Sequence, residues 1–172
     1  MTYAPTVETE RLILRPNREA DFEPFAAFCA SDRARLRGGV KNRAEAWRQF
    51  AAEIGHWYLS GFGFWAVEEK ASGAYCGQVG LWYPEGWAQA EIGWMMVDGF
   101  EGKGYAFEAA IRARRYAYET LGWTVAASCI SEGNDRSIRL AERMGATFDR
   151  RFPRDGLPDH LVYIHPGPEA LQ

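Results

Sequence analysis

Little in this chain suits a disulfide, a metal or a membrane. Its 172 residues hold three cysteines, Cys29, Cys76 and Cys129, far apart in apolar surroundings and with no C-x-x-C pair. An odd, scattered set points to reduced, buried thiols and excludes a disulfide framework or a thiolate zinc site. Histidine is as sparse. Of the three, His160 and His165 are five apart on one expected strand, so they face opposite sides and do not share a metal. His56 is expected to pack beside Trp57. No apolar run approaches the length of a membrane span, and the opening MTYAPTVETERL does not read as a signal peptide. A net charge of −3 leaves no basic footprint for nucleic acid. No repeat, low-complexity tract or linker divides the chain. The expectation is one domain over residues 1–172, in the cytoplasm, with neither nucleic acid nor membrane as a partner.

Aromatic residues are plentiful instead, with seven Trp, eight Tyr and ten Phe. Most should fill a core, and the rest can line a cleft. Arginine clusters at Arg112, Arg114 and Arg115, and again at Arg136, Arg139 and Arg143. Solvated helix faces explain most of these. One or two are candidates to hold a phosphate-rich ligand.

Periodicity outlines the fold. ERLILRP (10–16) reads as a strand, EADFEPFAAFCAS (19–31) as a helix with acids in its first turn, and 43–59 as a second helix. The apolar stripe of that second helix is expected at Ala46, Trp47, Phe50, Ile54, Trp57 and Tyr58. Three strands joined by short connections follow, at 61–70, 72–83 and 88–97, forming an antiparallel meander. A helix over 105–121 is expected to bury Phe107, Ala110, Ile111, Ala117, Tyr118 and Leu121. Then come a strand at 123–130, a capped helix at 134–145, and two closing strands, ATFDRRF and HLVYIHP. The class is α+β, with a mixed sheet parallel only across the strand–loop–helix–strand unit 88–130.

That unit carries the chemistry. EIGWMMVDGFEGKGYAFEAAIRARRYAYE (91–119) is a strand, a short loop with three glycines and a lysine, and an amphipathic helix. Such a junction aims backbone N–H groups and the positive end of a helix at one spot, which suits a pyrophosphate. The loop is neither of the commoner phosphate loops. Gly104 and Tyr105 follow Lys103, so the Gly-Lys-Ser/Thr of a Walker loop is missing, and Phe107 stands where a dinucleotide fingerprint needs its third glycine. Downstream, Asn134 and Ser137 are three apart and share one face of a helix's first turn. Helix capping can account for Asn134, but not for a hydroxyl on the inward face. Glu91, on the central strand two residues before Gly93, is either a solvated strand acid or a base.

The loop resembles that of the GNAT superfamily of acetyl-CoA-dependent N-acetyltransferases, written Gln/Arg-x-x-Gly-x-Gly/Ala and matched here by Glu101, Gly102, Lys103, Gly104, Tyr105 and Ala106. Glu101 departs from the pattern at a position whose side chain matters less than its backbone. Four further stretches, TERLILRP, GFGFWAVEEKASGAYCGQVGLW, NDRSIRLAERMGATF and HLVYIHPG, are similar in order to the ribosomal-protein N-terminal acetyltransferase branch. The resemblance implies a seven-stranded, mostly antiparallel mixed sheet flanked by four helices, with acetyl-CoA as cosubstrate and no metal. It places the cofactor pyrophosphate on Gly102, Lys103, Gly104, Tyr105 and Ala106. It places the cofactor arm on Met95, Met96 and Val97, opened by a bulge at Gly93 whose N–H groups would serve an oxyanion, and on Asn134. Many relatives use a tyrosine to protonate the departing thiolate, but no Tyr lies between Tyr118 and Tyr163, which leaves Ser137 as the candidate acid. Glu91 is the candidate base.

What the resemblance implies is acetyl transfer to an amine acceptor, a small molecule or a protein N-terminus, by direct attack in a ternary complex. No cysteine is expected where a covalent intermediate would need it. The acceptor site is expected around 35–58 and 153–159. A homodimer is compatible with this reading. The competing class is a non-catalytic acetyl-CoA sensor on the same fold.

Overall fold

The computed structural model describes residues 4–171. One sheet organises the chain. Its strands are β1 (Val7–Glu8), β2 (Leu12–Arg15), β3 (Phe64–Glu69), β4 (Tyr75–Trp82), β5 (Glu91–Met96), β6 (Ala127–Ser131), β7 (Thr147–Phe152) and β8 (His160–Ile164). They lie in the order β1-β2-β3-β4-β5-β6-β8-β7, and every pairing is antiparallel except β5 with β6. The sheet thus has eight strands where seven were expected. The addition is β1, whose two residues pair Val7 with Leu14 and Glu8 with Ile13 around a turn closed by Thr9. Two residues show no alternation, so only the partner strand reveals them.

Four α-helices flank the sheet: α1 (Phe22–Cys29), α2 (Arg43–Ser60), α3 (Tyr105–Glu119) and α4 (Asp135–Arg143). Short 3-10 turns cover Glu19–Asp21, Asp32–Leu36 and Pro168–Ala170. Successive residues of β5 serve opposite faces, as the pleat requires. Met95 and Val97 pack with Phe22, Phe25 and Phe50 of α1 and α2, while Ile92 and Met96 pack with the alanines of α3. Helix α4 closes the far end over Ile130 and Tyr163.

Packing moves two of the expected faces. On α2 the buried positions are Ala46, Phe50, Glu53, His56 and Trp57, whereas Trp47, Ile54 and Tyr58 are exposed. An acid and a histidine therefore occupy core positions. On α3 the inner row is Ala109, Ala110, Ala113 and Ala117, and Phe107, Ile111 and Leu121 are only partly buried. Small side chains let the helix lie close on the sheet. Arg114 is buried as well, its guanidinium donating to Met144 O at 2.7 Å, so it is not part of a solvated face.

Helix α2 runs between an Asn42–Glu45 capping box and Gly61, which takes the left-handed conformation at φ 78°. The buried Arg15 guanidinium grips Asp21 through two hydrogen bonds of 2.8 and 2.9 Å, and Glu68 through its Nε, which fixes α1 to the sheet.

Candidate active site

The site grows out of the one parallel seam. Ala127 N–H donates to Ala90 O at 2.9 Å, and Glu91–Ala127 is the single paired position between β5 and β6. The next rung of a parallel ladder would join Cys129 N–H to Ile92 O. Side chains take both groups instead. Cys129 N–H donates to Glu91 Oε2 at 3.1 Å, and Ile92 O accepts from Ser128 Oγ at 2.7 Å. The strands part from that point.

No bulge does this. The β4–β5 register is continuous from Gly77–Met96 to Trp82–Glu91, passing straight through Gly93, so the expected bulge is replaced by divergence of β6. The Val97 N–H to Cys76 O bond (2.9 Å) sets the phase of that ladder. It makes Gly77–Met96 a pair without mutual hydrogen bonds, so Trp94 and Met96 turn their peptide groups toward the gap. Arg33 donates to one of them, Met96 O, at 2.8 Å.

Two cavities open from the gap. The larger, about 590 Å³, lies between β5, the glycine loop and α4, where Met95, Met96, Gly102, Gly104, Tyr105 and Ala106 line it. Arg136, Arg139 and Arg143 of α4 line it too. The smaller, about 340 Å³, is walled by Glu91, Trp82, Trp87, Phe64, Glu53 of α2 and Arg154 of the β7–β8 connection. Trp94, Asn134 and Ser137 border both. The two spaces meet there.

The glycine loop is built to present donors. Gly104 is the N-cap of α3 at φ 81° and offers no side-chain cap, and the first intrahelical bond runs from Glu108 N–H to Gly104 O. The N–H groups of Tyr105, Ala106 and Phe107 thus have no partner within the helix. Arg11 braces the loop by donating to Lys103 O (3.0 Å) and to Glu108 Oε2 (2.7 Å). The Glu101 carboxylate accepts from Gly99 N–H at 3.0 Å and pairs with Arg33, so the departure from Gln or Arg serves the loop's own structure. Two of the expected cofactor residues stand apart. The Lys103 ammonium rests over the Phe100 and Tyr105 rings (4.7 and 5.8 Å), and Val97 is buried in the core with α1.

Glu91 is not solvated. It is 7% exposed, and burial raises its pKa to about 7, with the Trp87 indole and Cys129 acting in the opposite direction. Gly93 makes room for it. A Cβ there would sit 2.9 Å from the Phe64 ring and 3.2 Å from Glu91 Oε1.

His160 lines the same cavity but is a poor rival base. Burial and Arg154 lower its pKa to about 4, and its Nε2 is engaged by Arg154 at 2.9 Å. Cys129 also lines the cavity, contrary to the expectation that no cysteine stands there. Burial and the Glu91 charge push its thiol up, which suppresses the thiolate that covalent catalysis would need. Ser137 Oγ accepts from Trp94 Nε1 at 3.1 Å, leaving its own proton free to donate. Asn134 caps α4, its side-chain oxygen accepting from Ser137 N–H at 3.3 Å.

Glu53 and Arg154 line this cavity from within the stretches 35–58 and 153–159 expected around the acceptor, although neither was singled out. Glu53 left a further signal, being an acid on the Ala46–Phe50–Trp57 face of α2. Sequence reading missed Ser128, Cys129 and His160 as neighbours of Glu91. They come from β6 and β8, and only the strand order brings them to β5. Among the described residues no cluster of three or more His, Cys, Asp or Glu could hold a metal.

Residues 11–147 match the family model described as an acetyltransferase (GNAT) domain. The crystal structure of the acetyltransferase from Agrobacterium tumefaciens str. C58 superposes with a TM-score of 0.87 at 37% identity, over 95% of each chain. The uncharacterized N-acetyltransferase YoaA of Bacillus subtilis (strain 168) is 26% identical over 164 residues, 92% of this chain and 89% of YoaA. The uncharacterized protein YkkB of the same organism is 34% identical over 101 residues, 57% of this chain and only 58% of YkkB's length. The chain belongs to the GNAT acetyltransferase family.

Proposed function

We propose that this GNAT-family protein moves an acetyl group from acetyl-CoA to a primary amine, on a small molecule or a protein N-terminus, by direct attack with both substrates bound. The observation that carries this reading is the meeting of two cavities at Trp94 and Ser137, one lined by the glycine loop and the other by a buried carboxylate. Acetyl-CoA supplies an activated thioester, a pyrophosphate and an arm with two amides. The residues present suit it. Free N–H groups at the start of α3, with Arg136, Arg139 and Arg143, match the pyrophosphate. The peptide groups of Trp94 and Met96 that face the gap match the amides and can serve a developing oxyanion.

Glu91 takes the proton that an ammonium must lose before its nitrogen can attack. A carboxyl with a pKa of about 7 is part ionised near neutral pH and basic enough to accept that proton. Ser137 gives its proton to the departing sulfur, its oxygen steadied by Trp94. Holding the two reactants in adjoining cavities supplies much of the rate by proximity. Suppression of the Cys129 thiolate favours direct transfer over an acetyl-cysteine route. The four stretches similar to the ribosomal-protein N-terminal branch support a place in it.

The test is to titrate acetyl-CoA and follow free thiol with and without a panel of amines. Amine-dependent release is expected. Saturable acetyl-CoA binding with no release for any amine would favour the sensor reading.

A further inference from the structure

The Glu91 cavity has an uneven charge distribution that nothing above uses. Three cations line it: Arg37, Lys41 and Arg154. Arg37 reaches Glu53 Oε1 at 3.5 Å. The other two have no carboxylate within ion-pair distance among the described residues. Lys41 Nζ donates to Gly38 O (2.8 Å) and Gly39 O (3.2 Å), and Arg154 meets only His160 Nε2 (2.9 Å). His160 stays neutral well below pH 7, so it orients the guanidinium without cancelling its charge. A half-buried cation held this way is held at a desolvation cost that a ligand anion would offset.

The acids of the cavity are also incompletely paired. Glu53 is 2% exposed; its Oε1 accepts from Gln49 Nε2 at 2.9 Å, and its Oε2 has no hydrogen-bond partner. Together with Glu91 it gives the cavity two carboxylates against three cations, a formal excess of one positive charge when both acids are ionised. A second ammonium on an acceptor would meet that excess and be disfavoured, whereas an anion would be drawn in. Trp82, Trp87 and Phe64 line the same space, and its volume of about 340 Å³ is that of a small-ligand pocket.

We infer that the acceptor is a small amine that also carries an anionic group, a carboxylate or a phosphate, with Arg154 and Lys41 holding the anion while the amine lies toward Glu91. This rests on the acetyl-transfer reading above. The anionic group positions the substrate and takes no part in bond making, so neither residue is catalytic. Free polyamines and purely cationic amines are excluded as good substrates.

The experiment uses matched ligands on the full chain with excess acetyl-CoA: a panel of amino acids, their amides, their aminophosphonate analogues, and spermidine. For the best pair, kcat/KM for the carboxylate or phosphonate should exceed that for the amide at least tenfold, mostly through KM. The faster of the two anionic arms tells carboxylate from phosphate. Arg154→Gln should bring the anion-to-amide ratio toward one, and Lys41→Gln should lower it in the same direction if Arg154→Gln proves unstable. Amides or spermidine turned over as well as the anions, or a ratio unchanged in both variants, would overturn the inference. If no amine releases thiol, calorimetric titration of the same panel into the coenzyme A complex separates the two ideas. Selective binding of the anionic members keeps the pocket assignment and sinks acetyl transfer, and indiscriminate or absent binding sinks the pocket assignment itself.

Discussion

Replacing Glu91 by Gln should lower activity and raise stability at once, each with its own pH dependence. Burial moves the carboxyl from the ordinary 4.5 to about 7. The folded state therefore binds a proton that the unfolded chain has already released, and stability falls as pH rises from about 4.5 through about 7. A displacement of that size is worth about 3 kcal/mol at pH 8, and close to nothing at pH 4.5. Gln keeps the shape and can still accept from Cys129 N–H, so it should recover most of that amount. Urea or thermal unfolding of both proteins at pH 5 and pH 8 reads it out. The variant should gain up to about 3 kcal/mol at pH 8 and little at pH 5. In parent enzyme, kcat should rise with pH through about 7 as the carboxylate forms; in the variant the rate should drop and its pH dependence should follow the free amine. A stability difference that is the same at both pH values would refute the buried-acid argument. An unchanged rate and pH profile would refute the base.

Ser137→Ala should reduce turnover by about ten- to a hundredfold while acetyl-CoA affinity stays nearly intact; parental turnover would assign the proton to water. Gly104→Val should weaken acetyl-CoA binding at least about tenfold, and its φ of 81° adds a stability loss of about 1 kcal/mol or more, so affinity is measured on protein verified as folded. Arg136→Gln combined with Arg139→Gln should weaken acetyl-CoA more at low salt than at high salt, and an effect independent of ionic strength would remove them from the phosphate site. Asp21→Ala strands the buried Arg15 with Glu68 alone and should destabilise the fold by about 3 kcal/mol by chemical unfolding.

The order of elements, the class of the fold and the loop between β5 and α3 were legible along the chain, because each rests on local rules. Alternation marks a strand, a 3.6-residue repeat marks a helix, and left-handed glycines before a helix leave N–H groups open. The loop glycines were singled out on those grounds and Glu91 and Ser137 with the family resemblance, and the structure lines the two cavities with Gly102, Gly104, Glu91 and Ser137. The antiparallel meander and the one parallel pairing were legible too, but how far each pairing runs and which residues it brings together were not. The short β1 exists only through its pairing with β2. The opening of β5 comes from β6 turning away while Glu91 and Ser128 replace backbone rungs, and not from a bulge at Gly93. Whether Glu91 is solvated or buried was open in the sequence, since a strand acid with aromatic neighbours suits either. Tertiary packing decided it by setting α2, Phe64 and Cys129 around the carboxylate. Lys41 and Arg154 lie in the stretches 35–58 and 153–159 expected around the acceptor, but it is long-range packing across more than a hundred residues that sets them, with His160, around one cavity with Glu91.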